Sequence, residues 1–403
     1  MSALFTGTTI LEFGGGAAGP VATRYFADHG ATVIRVESRR RPDFLRTLRL
    51  TPDSPGGLDG AHHFAVLNAN KLSIALDLSR PEAVAIARRL ALRVDAVAEN
   101  FAPGAMAKWG LDYASLVKER RDLVMISTCL NGQTGPERHY PGFGGQGSAL
   151  AGFNHLTGWP DREPVGPFGT ITDSLSPRFA ALLLAAALLH RRRTGEGQHV
   201  DLAQVEAGIV CLSEAMVTYT ANGEVLGRIG NRSRHAAPHG VFPCAGRDRW
   251  VAIAVHDDAD WRRLVEVLGA PAWATDPALA TTAGRLARVD DIEARLADWT
   301  REGPPEAVAD RLQAAGVDAA AVEDFADLHE DAQLAHRGHF RAVEHAVLGR
   351  HPVETHAIRF SAMAPEMRLP APRLGEHTEQ VLRDLLGMEE PEYARLSAAG
   401  VFE

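Results

Sequence analysis

The chain has 403 residues, more than one hydrophobic core usually supports, so two domains are expected. With 45% hydrophobic and 23% charged residues, it has the composition of an ordinary globular protein. A net charge of −9 argues against nucleic acid as a main partner, while leaving room for a local basic site facing a phosphorylated ligand.

The first 200 residues alternate strand and helix signals. Strands are expected at Thr8–Phe13, Thr32–Glu37, Ser73–Leu78, Asp95–Glu99 and Leu123–Leu130, with helices at Pro20–His29 and Pro81–Leu92 between them. This alternation predicts βαβ units in an α/β fold, a doubly wound, mostly parallel Rossmann-like sheet. Ligands of such sheets bind at the carboxyl ends of the strands, here the loops after Phe13, Glu37, Asn100 and Leu130. His199–Leu202 reads as a further strand and Gln204–Thr220 as a helix, before Asn222-Gly223 interrupts the chain. A second region from about Gly230 carries a strand at Arg247–Val255 and helices at Asp260–Leu268 and Pro305–Ala315. The tail from about His336 is rich in Pro and turns and ends in a helix, Glu379–Leu386.

Cys129, Cys211 and Cys244 lie far apart with no C-x-x-C, which suggests a reducing compartment and no structural zinc. The start of the chain lacks the basic and apolar regions of a signal peptide, so a cytoplasmic location is expected. His62, His63, His155, His239 and His256 show no metal-ligand spacing.

Gly14-Gly15-Gly16-Ala17-Ala18-Gly19 matches G-x-G-x-x-G between a strand and a helix, and acidic Glu37 closes the next strand. That is the context of a dinucleotide fingerprint, and read alone it points to an NAD or FAD enzyme. Pro20 directly after the third glycine weakens that reading, but close backbone approach to a phosphate-bearing ligand survives. A second match, Gly142–Gly147, follows no strand directly.

Asp173 stands in a small-residue loop, Gly169–Ser174, ahead of an apolar helix expected from Ser176 to Arg193. Ser176 suits the N-cap, Pro177 the first helical position, and Gly195 the end. Its apolar stretch of about a dozen residues is too short to span a bilayer, and a helix apolar on every side is expected to be buried. A carboxylate at such an N-terminus has its anion favoured, either as a helix cap or as a nucleophile.

Collinear pieces then carry a resemblance along nearly the whole chain: Ala18-Gly19-Pro20, His29–Glu37, Asn68–Leu78, Glu99–Gly104, Gly110–Tyr113, Gly132–Pro136, Asp173 with Thr194–Gln198, and Leu374–Thr378. In these the chain resembles the class III coenzyme A transferases, the group that includes formyl-CoA transferase, carnitine CoA-transferase and α-methylacyl-CoA racemase.

The resemblance implies an acyl-CoA:carboxylate CoA-transferase in which Asp173 is the catalytic carboxylate, forming first an aspartyl mixed anhydride and then an aspartyl-CoA thioester. It implies coenzyme A as part of the acyl-CoA substrate, succinyl-CoA being a plausible donor, with a small carboxylic acid as acceptor and no metal, NAD or FAD. It places Ala17 and Ala18 near the pantetheine, Asn100 and Phe101 along the cofactor groove, and Lys71 and Leu76 beside the adenine. Lys108, Arg39 and Arg138 become phosphate candidates, although each basic residue is equally readable as a solvated charge. It implies a large domain at 1–215, a small α+β domain at 225–325, a segment 330–403 returning to the large domain, and an interlocked homodimer or a heteromer with a related subunit.

Acyl transfer also needs N–H donors for an oxyanion, which Gly142–Gly147 or Gly14–Gly16 could supply. Three departures from the family pattern matter. Ala17 replaces a Gln of many transferases, and Phe143 stands where the racemases place a catalytic His. A basic segment, Gly230–Gly240, replaces the glycine-run lid of the formyl-transferring members; it reads first as a solvated loop, and second as one in which Arg232, Arg234 or His235 receives the distal carboxylate of a dicarboxylic acid. Racemisation, a non-catalytic CoA-binding subunit and a nucleotide-dependent oxidoreductase are the rival readings.

Overall fold

The computed structural model describes residues 3–48, 50–51, 53–168, 170–363 and 367–403. Within it the chain forms two compact units, one of residues 3–154, 165–225 and 333–403, the other of 155–164 and 226–332.

The first unit is built on strands β1 (Thr9–Phe13), β2 (Thr32–Glu37), β3 (Leu72–Ala75), β4 (Ala96–Glu99), β5 (Val124–Cys129) and β6 (Gln198–Ala203). They form one sheet in the order β3-β2-β1-β4-β5-β6, with every pair parallel. The order reverses between β1 and β4, so the loops that follow these two strands diverge and leave a crevice.

Both faces of the sheet are covered, as a parallel sheet requires. On one side, helix α1 (Ala18–Asp28) lays Ala22, Phe26 and Ala27 on Ile10, Val33 and Val124. On the other, α2 (Pro81–Ala91) lays Ala83, Ile86 and Leu90 on Leu11, Ile34 and Val97, joined by Val381 and Leu382 of the helix Thr378–Leu386. A hairpin, β10 (Phe340–His345) and β11 (Gly349–Glu354), and a last helix, Glu390–Ala398, complete this unit; the sequence reading saw neither. The second unit holds an antiparallel sheet, β7 (His239–Pro243), β8 (Trp250–Ala254) and β9 (Asp318–Val322), packed on helices that include Val289–Thr300 and Pro305–Ala314.

Three further helices frame the crevice region: α3 (Gly144–Leu150), α4 (Ile171–Thr194) and α5 (Gln204–Val210), with α6 (Ser213–Asn222) following. The expected single helix Gln204–Thr220 is thus two, broken at Cys211-Leu212.

Two expectations about α4 are corrected. It starts at Ile171 rather than Ser176, so Asp173 occupies its first turn and Pro177 its interior. It is also 24 residues long and sufficiently apolar, by length and composition, to cross a membrane. Only one stripe (Ala180, Ala181, Leu184 and Ala187) packs into the core, while Leu182 is 68% exposed. The helix is therefore not buried on every side.

Candidate active site

The crevice is a cavity of about 1170 Å³ at the carboxyl ends of β1 and β4. Its walls come from the Gly14–Gly16 loop, the Asn100-Phe101 turn, the segment Arg138–Phe143 and the first turn of α4.

Asp173 lines it, half-buried. Pro177 has no N–H to give the Asp173 carbonyl one turn earlier, a hydrogen bond any other residue would donate. The carboxylate receives the Gly144 N–H at the start of α3. Thr172 Oγ1 donates to Gly144 O at 3.1 Å, tying α4 to α3, and Ser148 Oγ donates to the same carbonyl from within α3 at 2.8 Å. Burial raises the Asp173 pKa and the Gly144 N–H only partly offsets it. The expectation of a favoured anion is therefore corrected: the helix N-terminus helps the charge, but desolvation dominates.

Gly14–Gly16 does something other than cradle a pyrophosphate. Gly15 N–H donates to Asn100 Oδ1 (3.1 Å) and Asn100 Nδ2 donates back to Gly15 O (2.7 Å). Gly16 N–H goes to both Asp43 oxygens, at 3.1 and 3.2 Å. A Cβ on Gly14 would stand 2.9 Å from Asn100 Cγ, and Gly14 has φ +117°, so this loop needs glycine for its own packing. Glu37, the acidic residue of the apparent fingerprint, is buried against Arg46 (2.9 Å) and Ser73 Oγ (2.7 Å), so its carboxylate is already engaged within the protein. The dinucleotide reading loses both its amides and its acid. Gly14–Gly16 likewise has little left to offer an oxyanion, whereas Gly145 and Gln146, in the first turn of α3, keep N–H groups without an intrahelical partner.

Ala17, Ala18, Leu76, Asn100, Phe101, Lys108 and Arg138 all line the cavity with Asp173. Phe101 packs edge-on to Trp109 at 5.8 Å, and Arg138 Nε donates to His139 Nε2 at 2.9 Å. Two expected cofactor contacts, Lys71 beside the adenine and Arg39 on a phosphate, lie elsewhere. Lys71 is fully buried, its Nζ shared by Glu12 Oε2 (2.8 Å), Pro20 O (2.8 Å) and Asn68 Oδ1 (3.0 Å). Arg39 donates to Leu374 O at 3.1 Å, and its neighbours Arg40 and Arg41 line the cavity instead.

Beneath the Gly14–Gly16 loop runs a buried ionic network that the sequence reading missed. Arg35 joins Glu12 and Asp43 and donates to Gly14 O at 3.0 Å. Burial pushes the Glu12 pKa up, and the charges of Lys71 and Arg35 more than reverse this, holding it at about 2. Asp43 so links the network to Gly16 and, through the Leu45 N–H at 2.9 Å, to Phe44. Its sequence signal was weak: one acid among arginines and a proline, outside any strand or helix pattern.

Phe143, immediately before α3, is 69% exposed in the cavity wall and packs on Phe44 at 5.5 Å. A hydrocarbon thus shares the cavity lining with Asp173. In the second unit, Arg232 is met by Glu293 (2.7 Å) and Asp290 (2.5 Å), so its charge is already answered; it lines a separate cavity of about 890 Å³ together with Arg234. His235 accepts no role from its one described bond, its N–H to Ser233 Oγ at 3.1 Å. Among the described residues no group of three or more His, Cys, Asp and Glu could hold a metal ion.

A Rossmann-ordered sheet with a large cavity at its switch point, lined by Asp173 from the first turn of α4, defines an α/β protein with a ligand site at the carboxyl ends of its strands. The chain belongs to the CoA-transferase family III, whose model matches residues 5–378. It is 34% identical over 400 residues to succinyl-CoA–D-citramalate CoA-transferase of Chloroflexus aurantiacus, covering 97% of this chain and 96% of that protein. It is 31% identical over 391 residues to succinate–glutarate CoA-transferase of Agrobacterium fabrum, covering 95% and 96%. The crystal structure of a CAIB/BAIF family protein from Brucella suis superposes with a TM-score of 0.87 at 30% identity, over 96% of this chain and all of that one. The protein is an acyl-CoA:carboxylate CoA-transferase.

Proposed function

We propose that this transferase takes succinyl-CoA as donor, passes CoA to a small dicarboxylic acid, and carries the acyl group on Asp173. The Asp173 carboxylate attacks the thioester carbonyl; the C–S bond breaks and CoA leaves as thiolate from a mixed anhydride. The retained thiolate attacks the aspartyl carbonyl, releasing succinate and leaving an aspartyl-CoA thioester. The acceptor carboxylate attacks that thioester, and the returning thiolate takes the acceptor acyl group, freeing Asp173. Retention keeps the thiolate at high effective molarity. Each tetrahedral step is served by the Gly145 and Gln146 N–H groups.

The observation that carries this reading is the Asp173 carboxylate held by Gly144 N–H inside the cavity that Asn100, Phe101 and Lys108 also line. A desolvated carboxylate is a better nucleophile than a hydrated one, which suits its raised pKa. The names of the two relatives favour succinyl donors and dicarboxylic acceptors. Lys108 and Arg138 are assigned to the CoA phosphates, Asn100 and Phe101 to the pantetheine wall. The test is a set of incubations with succinyl-CoA and citramalate, malate, glutarate or formate, followed by mass spectrometry of the thioesters. New dicarboxylyl-CoA supports the reading; formyl-CoA alone overturns it.

We also propose a homodimer working in a reducing cytoplasm. Leu182 and Leu189 of α4, and Met216, Val217 and Tyr219 of α6, are large exposed apolar side chains suited to contact with a second copy. Light scattering at a single-chain mass would contradict it.

A further inference from the structure

Glu99 ends β4 one residue before Asn100, is 3% exposed, and has no part in the acyl chemistry. Its carboxylate accepts the Phe101 N–H at 2.8 Å, the Ser127 hydroxyl, and Gln133 Nε2 at 3.4 Å. Ser127 Oγ lies 2.9 Å from His199 Nε2, and His199 stacks on Tyr113 at 5.2 Å. With its one proton given to Glu99, Ser127 accepts from His199, which fixes the Nε2–H tautomer. The next residue along, Asn100, clamps Gly15 through both its amide ends. Three successive residues thus run from a buried acid, through a clamp on the Gly14–Gly16 loop, to a ring in the cavity wall.

We propose that Glu99 is a positioning residue for the CoA-bearing ligand, holding the Asn100-Phe101 turn in its binding geometry through the Phe101 N–H. The inference rests on the CoA reading of this cavity.

Burial raises the Glu99 pKa to about 7; Ser127 and the Phe101 N–H pull it down and Asp201 pushes it up. The groups around it are Cys129 at the end of β5 and Gln133 beyond it, Asp201 and His199 of β6, and Phe13 across from it on β1, with Asp112 acting on His199. The Cys129 thiol is pushed to about 11 by burial and by Glu99 and Asp201, so it stays neutral. Burial lowers the His199 pKa against the pull of Asp201 and Asp112. Glu99 is therefore the group that changes charge near neutrality. An ionised acceptor holds an N–H roughly twice as strongly as a neutral one, so the turn tightens above pH 7 and loosens below it.

The experiment is calorimetric titration of the full chain with free CoA from pH 6 to pH 8.5, for wild type, Glu99→Gln and Glu99→Ala. Wild type should bind roughly 3–10-fold more weakly at pH 6 than at pH 8, beyond the change caused by the ligand's own phosphate, which all three proteins share. Gln is neutral at every pH and should bind at the weak plateau throughout, with Ala weaker still. If Glu99→Gln keeps the wild-type slope, or Glu99→Ala binds like wild type, the inference fails while the CoA reading stands. If wild type binds no CoA, the reading of the cavity itself fails, and this inference with it.

Discussion

Gly144 lies so close to Asp173 that a β-carbon there would stand 2.5 Å from Asp173 Cγ, and its N–H donates to the same carboxylate. No side chain fits between the start of α3 and the first turn of α4. Gly144 does not have positive φ among the described glycines, so alanine costs no backbone strain there and acts by contact alone. Gly144→Ala should push the carboxylate aside and lower kcat by about 100-fold, the scale of a misplaced reacting group, with circular dichroism unchanged. Activity within twofold of wild type would separate Gly144 from the chemistry.

Asp173 makes opposite demands on folding and on catalysis. Because burial raises its pKa, the native state holds this proton more tightly than the unfolded chain, and carrying the charge at neutral pH costs stability. Asp173→Asn removes that cost and keeps an acceptor for the Gly144 N–H. Calorimetry should show Tm up by about 1–3 °C, with transfer down by at least about 10⁴-fold. The wild-type rate should fall on acidification at a pH above the ordinary range of an aspartate. A variant that loses activity because it loses Tm would tell against this account.

Lys71 and Lys108 should separate cleanly. Lys71→Met leaves Glu12 buried with only part of its compensation, at about 3–5 kcal/mol, read as a drop in urea midpoint. The KM for acyl-CoA of the folded fraction should not move. Lys108→Ala should raise that KM roughly 5–10-fold with kcat and Tm held, and the difference should shrink in high salt.

The Glu12 cluster also sets a limit at low pH. A carboxylate whose folded pKa is depressed from 4.5 to about 2 contributes stability that is complete above about pH 4.5 and is lost as pH falls through about 2. Acid titration by fluorescence should show unfolding across that window, and Glu12→Gln should lower stability at pH 7 and flatten the acid limb. An acid limb unchanged in Glu12→Gln would place the proton uptake elsewhere.

Much of the sheet was legible because most of its strands are short, largely apolar runs that alternate with helix signals. Thr32–Glu37 coincides with β2, and the other five strands differ from their expected spans only at their ends. Periodicity could not find β7, β9 or the β10–β11 hairpin, whose residues mix charge, proline and alanine without alternation. Ser176-Pro177 resembles a helix start, and local chemistry cannot tell a proline in the first turn from one in the second. The same limit holds at the site. Asp173 was visible as an isolated acid, whereas Asp43, Glu99 and Gly144 acquire their meaning from partners more than 25 residues away. Lys71 and Glu37 looked like ligand contacts because a sequence does not reveal that a charge is already neutralised.

The most direct test of the central claim is a hydroxylamine trap. The protein is incubated with succinyl-CoA, quenched with hydroxylamine and mapped by peptide mass spectrometry. The account predicts a hydroxamate on Asp173, absent without donor thioester and absent in Asp173→Asn. An unmodified Asp173 during measurable turnover, or a hydroxamate on another acid, would contradict it.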